Sequence, residues 1–154
     1  MAVSWNGKRV LIVEDEIILA ILLADHLREL GAEIVGPIAD VTRALQVASH
    51  GNISGAILDV NLGAAEVWPV ARMLAARCIP FIFTTGFSLV TASCETKLQA
   101  AMFGHVPKLS KPYRETDAAD ALSALFPSQR DQAERMPEPF SAVCVRPVAA
   151  APAE

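Results

Sequence analysis

The chain has 154 residues, 53% of them hydrophobic, which is enough for one domain with a real core and too few for two ordinary ones. A formal charge of −4 at pH 7 and the lack of any Lys or Arg run argue against nucleic acid or an anionic membrane as a partner. The N-terminus lacks the pattern of a signal peptide, and the longest apolar run, residues 17–24, is too short for a bilayer core of ~30 Å, so a cytoplasmic protein is expected.

"RVLIV" after Lys8 reads as a short strand with both faces buried, because four apolar residues in a row leave neither face for water. It stops at Glu14-Asp15. Leu19, Leu23, Leu27 and Leu30 then recur at helical spacing, and Gly31 follows as a helix-ending residue. The unit repeats: "AEIVG" predicts a second strand, residues 42–49 a second helix, "GAILDV" a third strand and residues 67–77 a third helix. "PFIFTT" supplies the fourth strand, residues 92–102 the fourth helix, "HVPKL" the fifth strand and residues 115–126 the last helix. Alternation at these lengths predicts an α/β fold: a doubly wound, flavodoxin-like, five-stranded parallel sheet of order 2-1-3-4-5 with helices on both faces. Residues 1–7 read as an N-terminal extension and 8–126 as the domain. Five of the ten prolines fall in residues 127–154, which read as a flexible tail with a short docking segment at 140–145 as the alternative. Cys78, Cys94 and Cys144 share no metal-ligand spacing and read as buried or incidental thiols.

In such sheets the functional crevice lies at the carboxyl ends of the strands. Glu14-Asp15, Asp59, Thr85 and Lys111 all fall at strand ends. Carboxylates gathered there repel one another unless a cation neutralises them, and an oxygen-only ligand set suits Mg²⁺ or Mn²⁺ better than zinc. An ammonium and a hydroxyl aimed at the same spot are donors for a tetrahedral dianion, which makes the central carboxylate a nucleophile candidate for a phosphoryl group. Taken singly, Asp59 as a turn cap or Glu14-Asp15 as partners of a helix dipole would be unremarked structural acids.

"VLIVEDE", "AILDVNLG", "FIFTTGF" and "KLSKPY" together resemble the receiver domain (CheY-like) of two-component response regulators, over residues 8–126 and in the same order. "PFIFTTGF" further resembles the signature of an alphaproteobacterial subgroup of single-domain receivers, Phe-Ala-Thr-Gly followed by an aromatic. The resemblance implies that Asp59 takes a phosphoryl group from a sensor histidine kinase. It implies Asp15, Asp59 and the Asn61 backbone carbonyl as Mg²⁺ ligands, with Glu14 acting through water. Thr85 would be the switch hydroxyl, Lys111 would contact a phosphate oxygen, and Lys111-Pro112 would be a cis peptide. Such a protein catalyses only its own phosphorylation and dephosphorylation. It signals to an unknown downstream protein or a phosphotransfer protein, or serves as a phosphate reservoir.

One position departs from the family: Lys108 stands where many receivers carry an aromatic residue, and its place in a short strand predicts a solvated side chain. The switch would then run through residues 86–104, where Phe87 is expected to cover the crevice. Ile18, Ile21 and Leu22 on the first helix are surplus to its core stripe and fit a partner or homodimer face. His26, His50 and His105 share no metal spacing and read as packing or surface residues. Two rival readings are a degenerate receiver used as a phosphorylation-independent binding module and an Asp-nucleophile phosphohydrolase of the haloacid dehalogenase type. The latter needs a second acid where this chain has Asn61.

Overall fold

The protein is described by a computed structural model over residues 4–86 and 94–126. Its elements run β1 (Arg9–Val13), α1 (Ile17–Glu29), β2 (Glu33–Ile38), α2 (Val41–His50) and β3 (Gly55–Asp59), followed by the short β4 (Asn61–Leu62) and β5 (Ala65–Glu66). Then come α3 (Trp68–Ala76), β6 (Phe81–Thr85), α4 (Cys94–Met102), β7 (Lys108–Ser110) and α5 (Glu115–Ser123). The main sheet has the order β2-β1-β3-β6-β7 with every pair parallel. With the hairpin β4-β5 set aside, this is the expected 2-1-3-4-5 arrangement. The tail, Phe87 and the first residues of the expected fourth helix lie outside the described residues.

The continuous apolar strands are buried on both faces because each face carries its own helical layer. Leu11, Val13, Leu58, Phe81 and Phe83 belong to a core shared with α2, α3 and the end of α4. Val10, Ile12, Ile57 and Ile82 belong to a second core beneath α1 and α5. Successive strand residues thus alternate between the two layers. Aromatic rings close both: Trp68, Phe81, Phe83 and Phe103 pack with centroids 5.4–6.3 Å apart on one side. On the other side Trp5 meets Phe126 edge to face at 5.4 Å. Trp5 therefore lies in the core although it precedes the expected domain start. Gly55 is where that packing needs glycine, since a Cβ there would come within 2.9 Å of the Phe126 ring.

Several local expectations shift. The buried stripe of α1 is Ala20, Leu23, Ala24 and Leu27, while Leu19 is half-buried and Leu30 exposed. Two alanines at the contact let the helix sit close to the sheet, and the helix turns accordingly. β2 runs on to Ile38 through a register irregularity opposite Leu11 and Val13, with Gly36 at φ 103°. β4 and β5 pair antiparallel just after Asp59, where "VNLG" by itself reads only as a turn. Cys78 is disulfide-bonded, which corrects the expectation of free thiols: sequence spacing screens for metal sites and says nothing about cysteines that the fold brings together.

Candidate functional site

β1 and β3 end in register. Val13 pairs with Leu58, and the next residues, Glu14 and Asp59, turn toward the α1/α5 layer by the same alternation. Asp59 is paired in turn with Thr84 on β6. A row of polar side chains thus crosses three adjacent strands at one sheet edge. Glu14 and Asp59 are 4% and 3% exposed, so the crevice floor is nearly dry.

Lys111 arrives from the end of β7. Its backbone N–H bonds the Thr85 carbonyl at 2.8 Å, and its ammonium donates to Asp59 Oδ2 at 2.9 Å and to Glu14 Oε1 at 3.0 Å. Glu16 Oε2 lies 3.7 Å from the same nitrogen. The Lys111-Pro112 peptide is cis. The second oxygen of Asp59 accepts from the Asn61 backbone N–H at 3.2 Å, and Glu14 Oε1 accepts from the Glu16 N–H at 3.0 Å. The β4-β5 hairpin holds Asn61 in place: Val67 N–H bonds Val60 O at 3.1 Å, and Trp68 Nε1 donates to Glu66 at 2.6 Å.

These placements shift proton affinities. Burial, then the hydrogen bond and charge of Asp59, push the Glu14 carboxyl up to about 7. For Lys111 burial acts downward, but the hydrogen bonds to Asp59 and Glu14 outweigh it and hold the ammonium above its ordinary range. One lysine thus neutralises part of an acidic cluster. One carboxylate oxygen each from Glu14, Asp15 and Asp59 lie within 4.8 Å of one another, with Asp15 exposed to solvent. Three hard oxygen donors that converge at one point fit a small divalent cation with retained waters.

Of the expected site residues, Glu14, Asp15, Asp59, Asn61 and Lys111 are brought together. Thr85 sits half-buried at the end of β6, with its carbonyl tied to Lys111. Lys108 is not solvated as expected. It is half-buried, donates to the Phe103 carbonyl at 2.8 Å and the Val106 carbonyl at 3.2 Å, and lies 5.8 Å over the Phe83 ring. The Phe103 carbonyl, just past α4, also accepts the Val106 N–H at 3.0 Å; its second lone pair and the Val106 carbonyl draw the ammonium inward. Burial lowers the Lys108 pKa. Two residues escaped the sequence reading: Thr84 and Tyr113 bring buried hydroxyls to the α1/α5 side of the site. Strand alternation from Ile82 was the available signal for Thr84.

No family model matches the chain. The transcriptional regulatory protein PdtaR of Mycobacterium tuberculosis is 32% identical over 116 residues, which covers 75% of this chain and 55% of PdtaR. The chain thus spans about half the length of that curated relative. The solution structure of SdrG from Sphingomonas melonis Fr1 is 39% identical, covering 75% of this chain and 95% of SdrG at a TM-score of 0.60. The receiver domain of the sensor histidine kinase PA1611 from Pseudomonas aeruginosa PAO1 is 25% identical, covering 77% and 96% at a TM-score of 0.63. That structure has a magnesium ion coordinated in its active-site cleft.

Proposed function

As the chain belongs to the response regulator receiver (CheY-like) family, we propose that Asp59 accepts a phosphoryl group from the phosphohistidine of a sensor histidine kinase and that a protein partner reads the change. The observation that carries this reading is the placement of Asp59. Its carboxylate is almost fully buried, held by the Lys111 ammonium on one oxygen and the Asn61 N–H on the other, beside two further acids.

Those two hydrogen bonds fix the plane of the carboxylate at the crevice floor, so the nucleophile meets the donor with little orientational freedom to lose. A carboxylate oxygen forms the new bond to phosphorus while the bond from phosphorus to the donor imidazole breaks, and the imidazole leaves with the electron pair. Lys111, already 2.9 Å from Asp59, follows the charge onto a phosphoryl oxygen. Thr85, at the end of the neighbouring strand, supplies a hydroxyl to the same group. Asp15, Asp59 and the Asn61 carbonyl would hold Mg²⁺ directly and Glu14 through water; Mn²⁺ suits the same oxygen set. When bound, the ion supplies the positive charge that offsets repulsion between carboxylate and phosphoryl oxygens.

Ile17 and Ile18, each 73% exposed, and Ile21 and Leu22, each 50% exposed, stand on α1 immediately beyond Glu16. An apolar face beside a buried nucleophile supports a protein phosphodonor docking there. Among the described residues no helix is long and apolar enough to cross a membrane. The "FTTGF" motif supports the alphaproteobacterial Phe-Ala-Thr-Gly subgroup, and the receiver, expected over residues 8–126, extends back to the core residue Trp5.

The test is intact mass after incubation with Mg²⁺ and a small phosphodonor. One phosphoryl adduct that needs Mg²⁺ and is absent in Asp59→Ala is expected. A wild-type protein that stays unlabelled would falsify the reading.

A further inference from the structure

Thr84 is 1% exposed, and its hydroxyl and that of Tyr113 are both buried. Among the described residues neither makes a hydrogen bond of ordinary geometry. Buried hydroxyls in that condition are uncommon, because each has surrendered water without a full return, and each calls for a reason. Shape alone does not supply one: Val and Phe would fill the same space with no polar atom to desolvate.

The surroundings point to a reason. Ile82 belongs to the core beneath α1 and α5, so Thr84, two residues on, faces that layer as well, and Tyr113 packs against the same core. Thr84 is also the strand partner of Asp59. The two hydroxyls act on each other, and the phenol lies within the field of Glu14, Lys111 and Asp59. Burial, reinforced by the Glu14 charge, pushes the phenol up to about 12, which keeps it a neutral O–H donor at working pH.

Lys111 now serves both Glu14 and Asp59. A phosphoryl group on Asp59 brings new oxygens that compete for its ammonium. Glu14, 4% exposed, is too buried to turn to bulk water, and a cation-bound water would not restore the ammonium it has lost. We propose that Thr84 and Tyr113 are positioning residues of the phosphoryl-acceptor site: when Lys111 moves onto the phosphoryl group, the Tyr113 hydroxyl, seated on Thr84, takes its place as donor to Glu14. This rests on the reading of Asp59 given above. It explains why both hydroxyls are underused in the unphosphorylated protein, where Lys111 still holds Glu14.

Tyr113 is the one tyrosine of the chain, so a ¹³Cζ-tyrosine label reports it alone. The full chain is compared in Mg²⁺ and in Mg²⁺ with the phosphoryl mimic beryllium trifluoride. The signal is expected to move on loading, and to move less in Thr84→Val but not in Thr84→Ser. Tyr113→Phe, which removes one oxygen, is expected to slow adduct formation from a small phosphodonor about fivefold, the worth of one ordinary hydrogen bond, with little change in KM for the donor. The inference needs both results. If wild-type protein takes the phosphoryl group while the tyrosine signal stays fixed, or if Tyr113→Phe is labelled at the wild-type rate, the inference falls and the reading of Asp59 stands. If wild-type protein takes no phosphoryl group, both fall.

Discussion

Glu14 and Asp59 form an acid pair that one ammonium bridges, and most of the site's electrostatics follows from that bridge. Removing one charge of the pair relieves the other. In Asp59→Asn the Glu14 pKa is therefore expected to fall from about 7 toward the ordinary carboxylate range, read from the Glu14 ¹³Cδ shift against pH. Burial remains the largest cause of the shift, so the fall should be partial. Lys111→Met removes the donor preset for the developing phosphoryl charge. Labelling by a small phosphodonor should slow roughly a hundredfold, by comparison with the loss of one preorganised donor elsewhere. A rate within twofold of wild type would place the lysine outside the reaction. The acids were legible from sequence because they close apolar runs, and the lysine because it follows the last short strand. Tyr113 was not, since a hydroxyl beyond the last short strand carries no pattern, and Thr84 was signalled only by the alternation that continues from Ile82.

Between residue and fold, the hairpin β4-β5 and the end of α4 do work that the sequence concealed. Two-residue strands show no period, so β4 and β5 read only as a turn, yet their pairing sets the Asn61 N–H against Asp59. Lys108 misled for a related reason: a three-residue strand gives too little alternation to assign faces, and the carbonyls that bind the ammonium lie in the loop between α4 and β7. Its role is testable. Lys108→Met leaves the Phe103 and Val106 carbonyls without that donor and should cost about 1–3 kcal/mol in denaturant unfolding. Amide exchange should rise around residues 103–110, while Lys108→Arg retains part of the protection. Unchanged stability and exchange in Lys108→Met would mean that the ammonium only rests on that surface.

For the molecule as a whole, the five-stranded sheet is the device that gathers distant residues. Its order and the two apolar layers were readable because strands buried on both faces must be continuously apolar. The rotation of α1 and the register irregularity between β1 and β2 depended on packing contacts that no single segment encodes. The acidic edge should also mark the pH dependence of stability. Folded Glu14 binds its proton up to about pH 7, whereas an ordinary glutamate releases it near 4.5. Between those values the folded state holds more protons than the unfolded one. The stability this contributes is complete below the lower value and is lost as pH rises through about 7. Without divalent cations the unfolding midpoint should therefore drop across that window, and Mg²⁺ should restore it on the alkaline side by taking over as counter-charge; a midpoint indifferent to Mg²⁺ would contradict a cation site here. Asp59 as phosphoryl acceptor is open to a chemical test by borohydride reduction of the labelled protein, because an aspartyl phosphate is reduced to homoserine at its own position. Homoserine is expected at position 59 and nowhere else; reduction at another carboxylate, or none in labelled protein, would overturn the assignment.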